Sequence, residues 1–282
     1  HNPGPRGRAA GPRIIWASHP TRAQVAQTRP PRGQNMAGSR SAVALLCVFA
    51  VAGVSSASFG MRTSSRPLGR SARAFADSLR GNDINLPTFL AAARAYCDLV
   101  GHFGSFAAPS SSEVRRCLAK IEQGIQKLAH SGGRRRVRIG RIQSMKALLQ
   151  AEAAVEGLHK PKGMIADPSA AIGLLWARRA LHYWVEAFDE HAHHSGSLLD
   201  ELLIAYERSL AKFHGWIARR ASMMASQAAP TWEDVRTNAK LAPSDAAMRD
   251  DMRNWANSVR KVVKCMHALH VKFDMEDTRK CV

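Results

Sequence analysis

At 282 residues the chain exceeds the roughly 100–200 of a typical domain, and 45% hydrophobic with 22% charged residues is the composition of a chain that folds. Disorder throughout is excluded, and so is a transmembrane helix, because no apolar run reaches the ~18–20 residues a bilayer span needs. The formal charge of +19 invites a nucleic-acid reading, but residues 1–80 hold twelve arginines against one acid, Asp77, while the rest holds 29 bases against 21 acids. The body is only moderately basic.

In chain order, residues 1–35 are rich in Pro, Gly and Arg without periodicity and read as a leader that need not belong to the mature protein. At Met36 a short basic start precedes the apolar run Ala42 to Val54, and Ser55-Ser56-Ala57 supplies the small residues of a cleavage site. Residues 36–57 therefore read as a signal peptide, with a buried core helix as the alternative. Next come Ser58-Phe59-Gly60 and then Arg62, Arg66, Arg70, Arg73 and Arg80, with serines interspersed. That composition resembles an organelle transit segment, so residues 58–82 read as a basic linker that adds little to the core. The expected route is secretory with delivery to a plastid; plain secretion and the cytoplasm are the alternatives.

From Leu86 the apolar spacing is helical. Helices are expected at 87–100, 112–130 and 141–157. Another is expected to open on Asp167-Pro168, Asp as cap and Pro in the first position, and to carry Ile172, Leu175, Trp176, Leu181, Trp184 and Phe188. Leu199, Leu202, Leu203, Tyr206, Leu210, Phe213 and Ile217 advance by threes and fours, predicting one helix of about twenty residues. Met248, Met252, Trp255, Val259, Val262, Met266 and Leu269 predict the last. Sustained period-two strands and internal repeats are absent. The expectation is one all-α domain, 83–282.

The five cysteines, Cys47, Cys97, Cys117, Cys265 and Cys281, form no C-x-x-C pair, and the four in the body read as buried thiols. His214, in Lys212-Phe213-His214-Gly215-Trp216, lies on or beside a buried stripe and is either a packed core residue or a functional one. Trp176 divides the same way. Arg178 and Arg179 beside it are either a solvated helix edge or cations near that face. Two E-x-x-H motifs, ending at His159 and His193, each run into a helix-ending sequence, so no metal is expected. The basic loop Arg134 to Arg138 lacks interleaved aromatics, which argues for a membrane-surface contact or a solvated loop over nucleic acid. No nucleophile–base pair is visible, and neither an enzyme nor a cofactor is expected.

Tyr206-Glu207, Leu210 and Lys212-Phe213-His214-Gly215-Trp216-Ile217 resemble the Y-E-x-x-L-x-x-Y/F-H-G-W signature of the glycolipid transfer protein family. Ala228-Ala229-Pro230 resembles its A-A-P turn, Trp176 to Leu181 its W-L-x-R-G/A-L helix, and Leu86 to Gly101 its first helix. The resemblance covers about 85–282. It implies a two-layer, all-helical sandwich with an apolar tunnel for lipid chains, and transfer between membranes without covalent chemistry. It further implies Trp176 as the plate for a head-group sugar and His214 as the partner of the amide. The family's second-helix D-x-x-x-N-x-x-K is not matched. One register gives Glu113, Cys117 and Lys120; another gives Lys120, Gly124 and Lys127. The first keeps a carboxylate and is preferred.

The expected ligand is a glycolipid, a galactolipid if the protein works in a plastid, held by a monomer that touches membranes transiently. A phosphate-headed sphingolipid such as ceramide 1-phosphate is the runner-up, with Arg178, Arg179, Lys120 and the 134–138 loop as cations. A lipid sensor that no longer transfers is the reading from another class.

Overall fold

The computed structural model describes residues 64–130, 142–161, 163–194, 196–226 and 229–280. The leader 1–35, the signal-like 36–57, the start of the 58–82 segment, the 134–138 loop, Cys47 and Cys281 lie outside them. The helices are α1 (Pro67–Ala76), α2 (Leu86–Gly101), α3 (Ala108–His130), α4 (Met145–Ala153), α5 (Ala170–His193), α6 (Leu198–Ser209), α7 (Trp216–Ser226), α8 (Trp232–Asn238) and α9 (Asp245–Lys272). A two-residue ladder, β1 (Leu79–Arg80) with β2 (Asp83–Ile84), pairs antiparallel between α1 and α2. No described helix is long and apolar enough to cross a membrane.

Short polar side chains start most helices by accepting an otherwise unpaired backbone N–H. Asn85 does so for Thr88, Ser144 for Ala147, Ser169 for Ile172, Ser197 for Asp200 and Ser244 for Ala247. Ser169 takes the place expected of Asp167: the helix begins at Ala170, so Asp167 and Pro168 both precede it. The helix expected over 141–157 is confined to α4.

Five helices close a ring around the core: α1 packs on α9, α9 on α5, α5 on α3, α3 on α2, and α2 returns to α1. The result is a two-layer helical sandwich with α5 at its centre. A chain of edge-to-face and stacked rings runs through it, with Phe75–Tyr96 at 6.0 Å, Tyr96–Trp255 at 5.3 Å, Trp255–Phe188 at 5.0 Å and Phe188–Trp184 at 5.3 Å between centroids. Cys97 and Cys117 are buried thiols as expected, whereas Cys265 is half-buried.

The basic-linker reading of residues 58–82 needs correction. Leu68, Ala72 and Phe75 of α1 follow helical spacing and are buried in the core. Arg66 grips the carboxylate of Asp251 on α9 at 2.5 and 2.9 Å, and the Ser71 hydroxyl accepts from Trp255 Nε1 at 3.0 Å. Ser78 donates to the Phe75 carbonyl at 2.6 Å. Arg66, Ser71 and Ser78, part of a composition that resembles a transit segment, thus serve the fold, and the domain extends at least to Arg66.

His270 on α9 is wholly buried, with Nδ1 2.7 Å from the Met266 carbonyl. Burial pushes its imidazole down to about 4. The unfolded chain binds this proton below about 6.5 and the folded chain does not until about 4, so stability rises with pH across that window. Denaturant titrations should show a loss of about 3 kcal/mol between pH 6.5 and 4. In His270→Gln the loss should shrink by about that amount; a slope unchanged in the variant would assign the acid sensitivity elsewhere.

Candidate functional site

The site is assembled where α3 crosses α5. Two glycines set the approach. A Cβ on Gly173 would lie 2.7 Å from the Cys117 carbonyl, and one on Gly124 would lie 2.6 Å from the Ala170 nitrogen. With Trp184 Nε1 donating to Ser110 Oγ at 2.7 Å, these contacts run down α3 as they run up α5, so the helices are antiparallel. Glu113 therefore lies at the level of α5 between Gly173 and Trp184, the stretch that holds Trp176.

The stripe expected on one twenty-residue helix is divided. Helix α6 ends at Ser209, a 3-10 turn occupies Ala211–Phe213, His214 is extended at φ −94° and ψ 134°, and α7 begins at Trp216. This break sends neighbours in opposite directions: Phe213 is buried, His214 half-buried, and Trp216 is 71% exposed.

His214 packs against Trp176, ring centroids 6.0 Å apart and planes 24° from parallel. Its Nδ1 is 3.0 Å from the Tyr206 hydroxyl. Burial pushes the imidazole below its ordinary value, Glu113 pulls it back up and Arg179 pushes it down. A neutral ring that accepts from Tyr206 at Nδ1 keeps its proton on Nε2, leaving one donor for a ligand.

Arg178 and Arg179 do not form a solvated edge; both are buried. Arg178 is held by Glu276 at 2.6 and 2.8 Å and meets His267 Nδ1 at 2.6 Å. Arg179 lies 3.5 Å from the centroid of the Phe213 ring and 4.7 Å from that of Trp176, and donates to the Asp277 carbonyl. It is a fixed charge behind the aromatic plate. The C-terminal residues Glu276 and Asp277 thus hold the helix that carries Trp176. No local pattern announced them, since 98 residues separate each pair in sequence.

On α3, Glu113 pairs with Arg116, and Cys117 Sγ lies 3.7 Å from its Oε1. Burial first, then the charge of Glu113, pushes the Cys117 thiol well up, so it stays protonated and is no nucleophile. Lys120 reaches Asp167 at 2.8 and 2.9 Å. Lys127 lies apart: its charge acts on Glu152, which accepts from the Ala170 and Ala171 nitrogens at 2.7 Å each. Gly124 faces the start of α5, leaving that register no room for a ligand there. The structure brings Trp176, Arg179, His214 and Glu113 together, sets Lys120 further along the same α3 edge, and leaves Lys127 at the other end.

The E-x-x-H residues go separate ways. Glu190 pairs with Arg208, His193 Nδ1 with the Asp189 carbonyl, and His159 Nδ1 accepts from the Ala166 nitrogen at 3.2 Å. Among the described residues no three His, Cys, Asp or Glu gather as a metal site.

An indole, an imidazole, two carboxylates and an ammonium thus gather beside the apolar core of a helical-sandwich protein. The family described as "Glycolipid transfer protein (GLTP)" matches residues 84–240, and the chain belongs to that family. Glycolipid transfer protein 1 of Arabidopsis thaliana is 38% identical over 63 residues, 22% of this chain and 31% of that relative. The structure is similar to that of mouse ceramide-1-phosphate transfer protein without ligand, with a TM-score of 0.63 and 18% identity, covering 76% of this chain and 99% of that one. It is also similar to HET-C2, a fungal glycolipid transfer protein, with a TM-score of 0.58 and 20% identity, covering 72% and 95%.

Proposed function

We propose that the protein is a non-enzymatic carrier that binds one lipid and moves it between membranes, and that the lipid is a glycolipid. The observation that carries this reading is the Trp176 plate, backed by Arg179 and joined by His214 and Glu113. A sugar ring presents C–H groups to an indole face and hydroxyls to carboxylates, and the His214 Nε2–H suits an amide carbonyl. Exposing an acyl chain to water costs about 0.8 kcal/mol per CH₂, so unassisted transfer is slow; housing the chains between the helical layers removes that barrier.

Membrane contact falls to α7. Trp216, Met223 and Met224 are 71%, 44% and 53% exposed, with Arg219 and Arg220 among them, the make-up of a helix that settles in a head-group layer. A monomer suffices for this cycle. Secretory delivery is carried by residues 36–57, now that α1 packs into the core and Arg66 and Ser71 bond to α9. Plastid and cytoplasm remain the alternative destinations.

The second reading, a phosphate-headed sphingolipid, draws on ceramide-1-phosphate transfer proteins among the structural neighbours. Its proposed cations are less available than expected, because Arg178 is held by Glu276 and Lys120 by Asp167. A sensor that binds without transferring is the third.

Transfer of a fluorescent glycolipid between phosphatidylcholine vesicles tests the carrier reading. The full chain should transfer, and Trp176→Phe should slow it about tenfold with little change in melting temperature. Binding without transfer would establish the sensor. Normal transfer by Trp176→Phe, with about 3–5 kcal/mol of stability lost in Trp176→Ala, would make the indole a core residue.

A further inference from the structure

The Lys120–Asp167 pair is largely exposed, where an ion pair adds little to stability. Asp167 is exposed, precedes α5, and leaves the helix cap to Ser169. Its carboxylate nevertheless sits 2.8 to 2.9 Å from Lys120, the ammonium on the same α3 edge as Cys117 and Glu113. We propose that Asp167 is a specificity-determining residue that admits a neutral, hydroxyl-bearing head group and refuses a phosphate; this rests on the carrier reading.

The reason is donor–acceptor matching. A hydroxyl both donates and accepts, so one sugar hydroxyl can accept from Lys120 and donate to Asp167. A phosphate monoester carries about −1.5 to −2 charges and offers mainly acceptors. An oxygen bonded to Lys120 Nζ, at the ~2.8 Å usual for such pairs, would lie only about 4–5 Å from the Asp167 oxygens on the same ammonium. Glu113 adds a second carboxylate along the helix. Arg116 is already paired to it, and the buried guanidiniums of Arg178 and Arg179 are engaged with Glu276 and Asp277. Repulsion at that distance, even at a dielectric near that of water, disfavours the phosphate by at least about tenfold.

The test is paired transfer of glucosylceramide and ceramide 1-phosphate with the same acyl chain, from phosphatidylcholine vesicles, by the full chain and by Asp167→Asn and Asp167→Glu. The full chain should prefer glucosylceramide by at least about tenfold. Asp167→Asn should shift the ratio of rates towards ceramide 1-phosphate by about tenfold or more, through faster phosphate transfer and slower sugar transfer, while Asp167→Glu keeps the preference. If the full chain transfers glucosylceramide and Asp167→Asn leaves the ratio unchanged, the role of Asp167 is overturned and the carrier reading stands. A full chain that prefers ceramide 1-phosphate also overturns it. Transfer of neither lipid overturns both.

Discussion

A chain lacking residues 1–82 is expected to be largely unfolded at 25 °C, whereas one that starts at Ser64 folds. Deletion removes α1, whose Leu68 and Phe75 are wholly buried and contribute about 1.5–3 kcal/mol each. It also removes Arg66, the part-exposed guanidinium partner of Asp251, and opens to water the face of α9 that α1 covers. Together these losses rival the whole stability of about 5–15 kcal/mol typical of a folded protein. Two point variants divide the effect. Phe75→Ala should cost about 3–5 kcal/mol, since Phe75 touches Phe89, Tyr96 and Trp255 at centroid distances of 6.0 to 6.2 Å. Arg66→Ala should cost less than Phe75→Ala if water reaches Asp251 through the opening. Urea denaturation followed by far-ultraviolet circular dichroism provides the readout. An 83–282 chain as stable as the 64–282 chain would show that α1 is dispensable packing.

His214→Ala is expected to lower glycolipid transfer by about ten- to a hundred-fold while lowering the melting temperature by only a few degrees. The ring is half-buried, so its loss empties little core. It does remove the stacking partner of Trp176, the acceptor for Tyr206 and the proposed Nε2–H donor. A neutral hydrogen bond contributes about 0.5–1.5 kcal/mol and a ring contact a similar amount, which together correspond to roughly that loss of affinity. The pH dependence carries a sign. Because burial holds the imidazole below its ordinary value, transfer should stay level from pH 8 to about 6.5 and fall only in more acid solution, as Nδ1 takes a proton and can no longer accept from Tyr206. His214→Gln keeps a donor without a titrating ring, so its acid limb should be absent. A full-rate His214→Ala would remove the residue from the site.

The helices were legible because a buried face repeats every three to four residues, whereas the caps Asn85, Ser144, Ser197 and Ser244 emerged only in the structure. Trp176 and His214 were legible as members of a motif. Their partners were not. The same periodicity that revealed the Leu199–Ile217 stripe concealed its break, since apolar spacing continues through Leu210 and Phe213 although the helix stops at Ser209. At α1 the spacing of Leu68, Ala72 and Phe75 was present too, but composition spoke louder than three residues.

By itself, then, the sequence determined an all-helical protein, the extents of α2, α3, α5 and α9 to within a few residues, and two rings, Trp176 and His214, that the fold brings together. These are local matters of propensity and periodicity. Only the tertiary structure decided which face of α3 meets α5, because that depends on two glycines finding opposite backbones, Gly124 at Ala170 and Gly173 at Cys117. The same holds for the burial of Arg178 and Arg179 under Glu276 and Asp277, and for the pairing of Lys120 with Asp167 across 47 residues. Charges distant in sequence find each other only through the fold. A cation that reads as free in the linear chain is therefore free or engaged according to packing, and here packing engaged it.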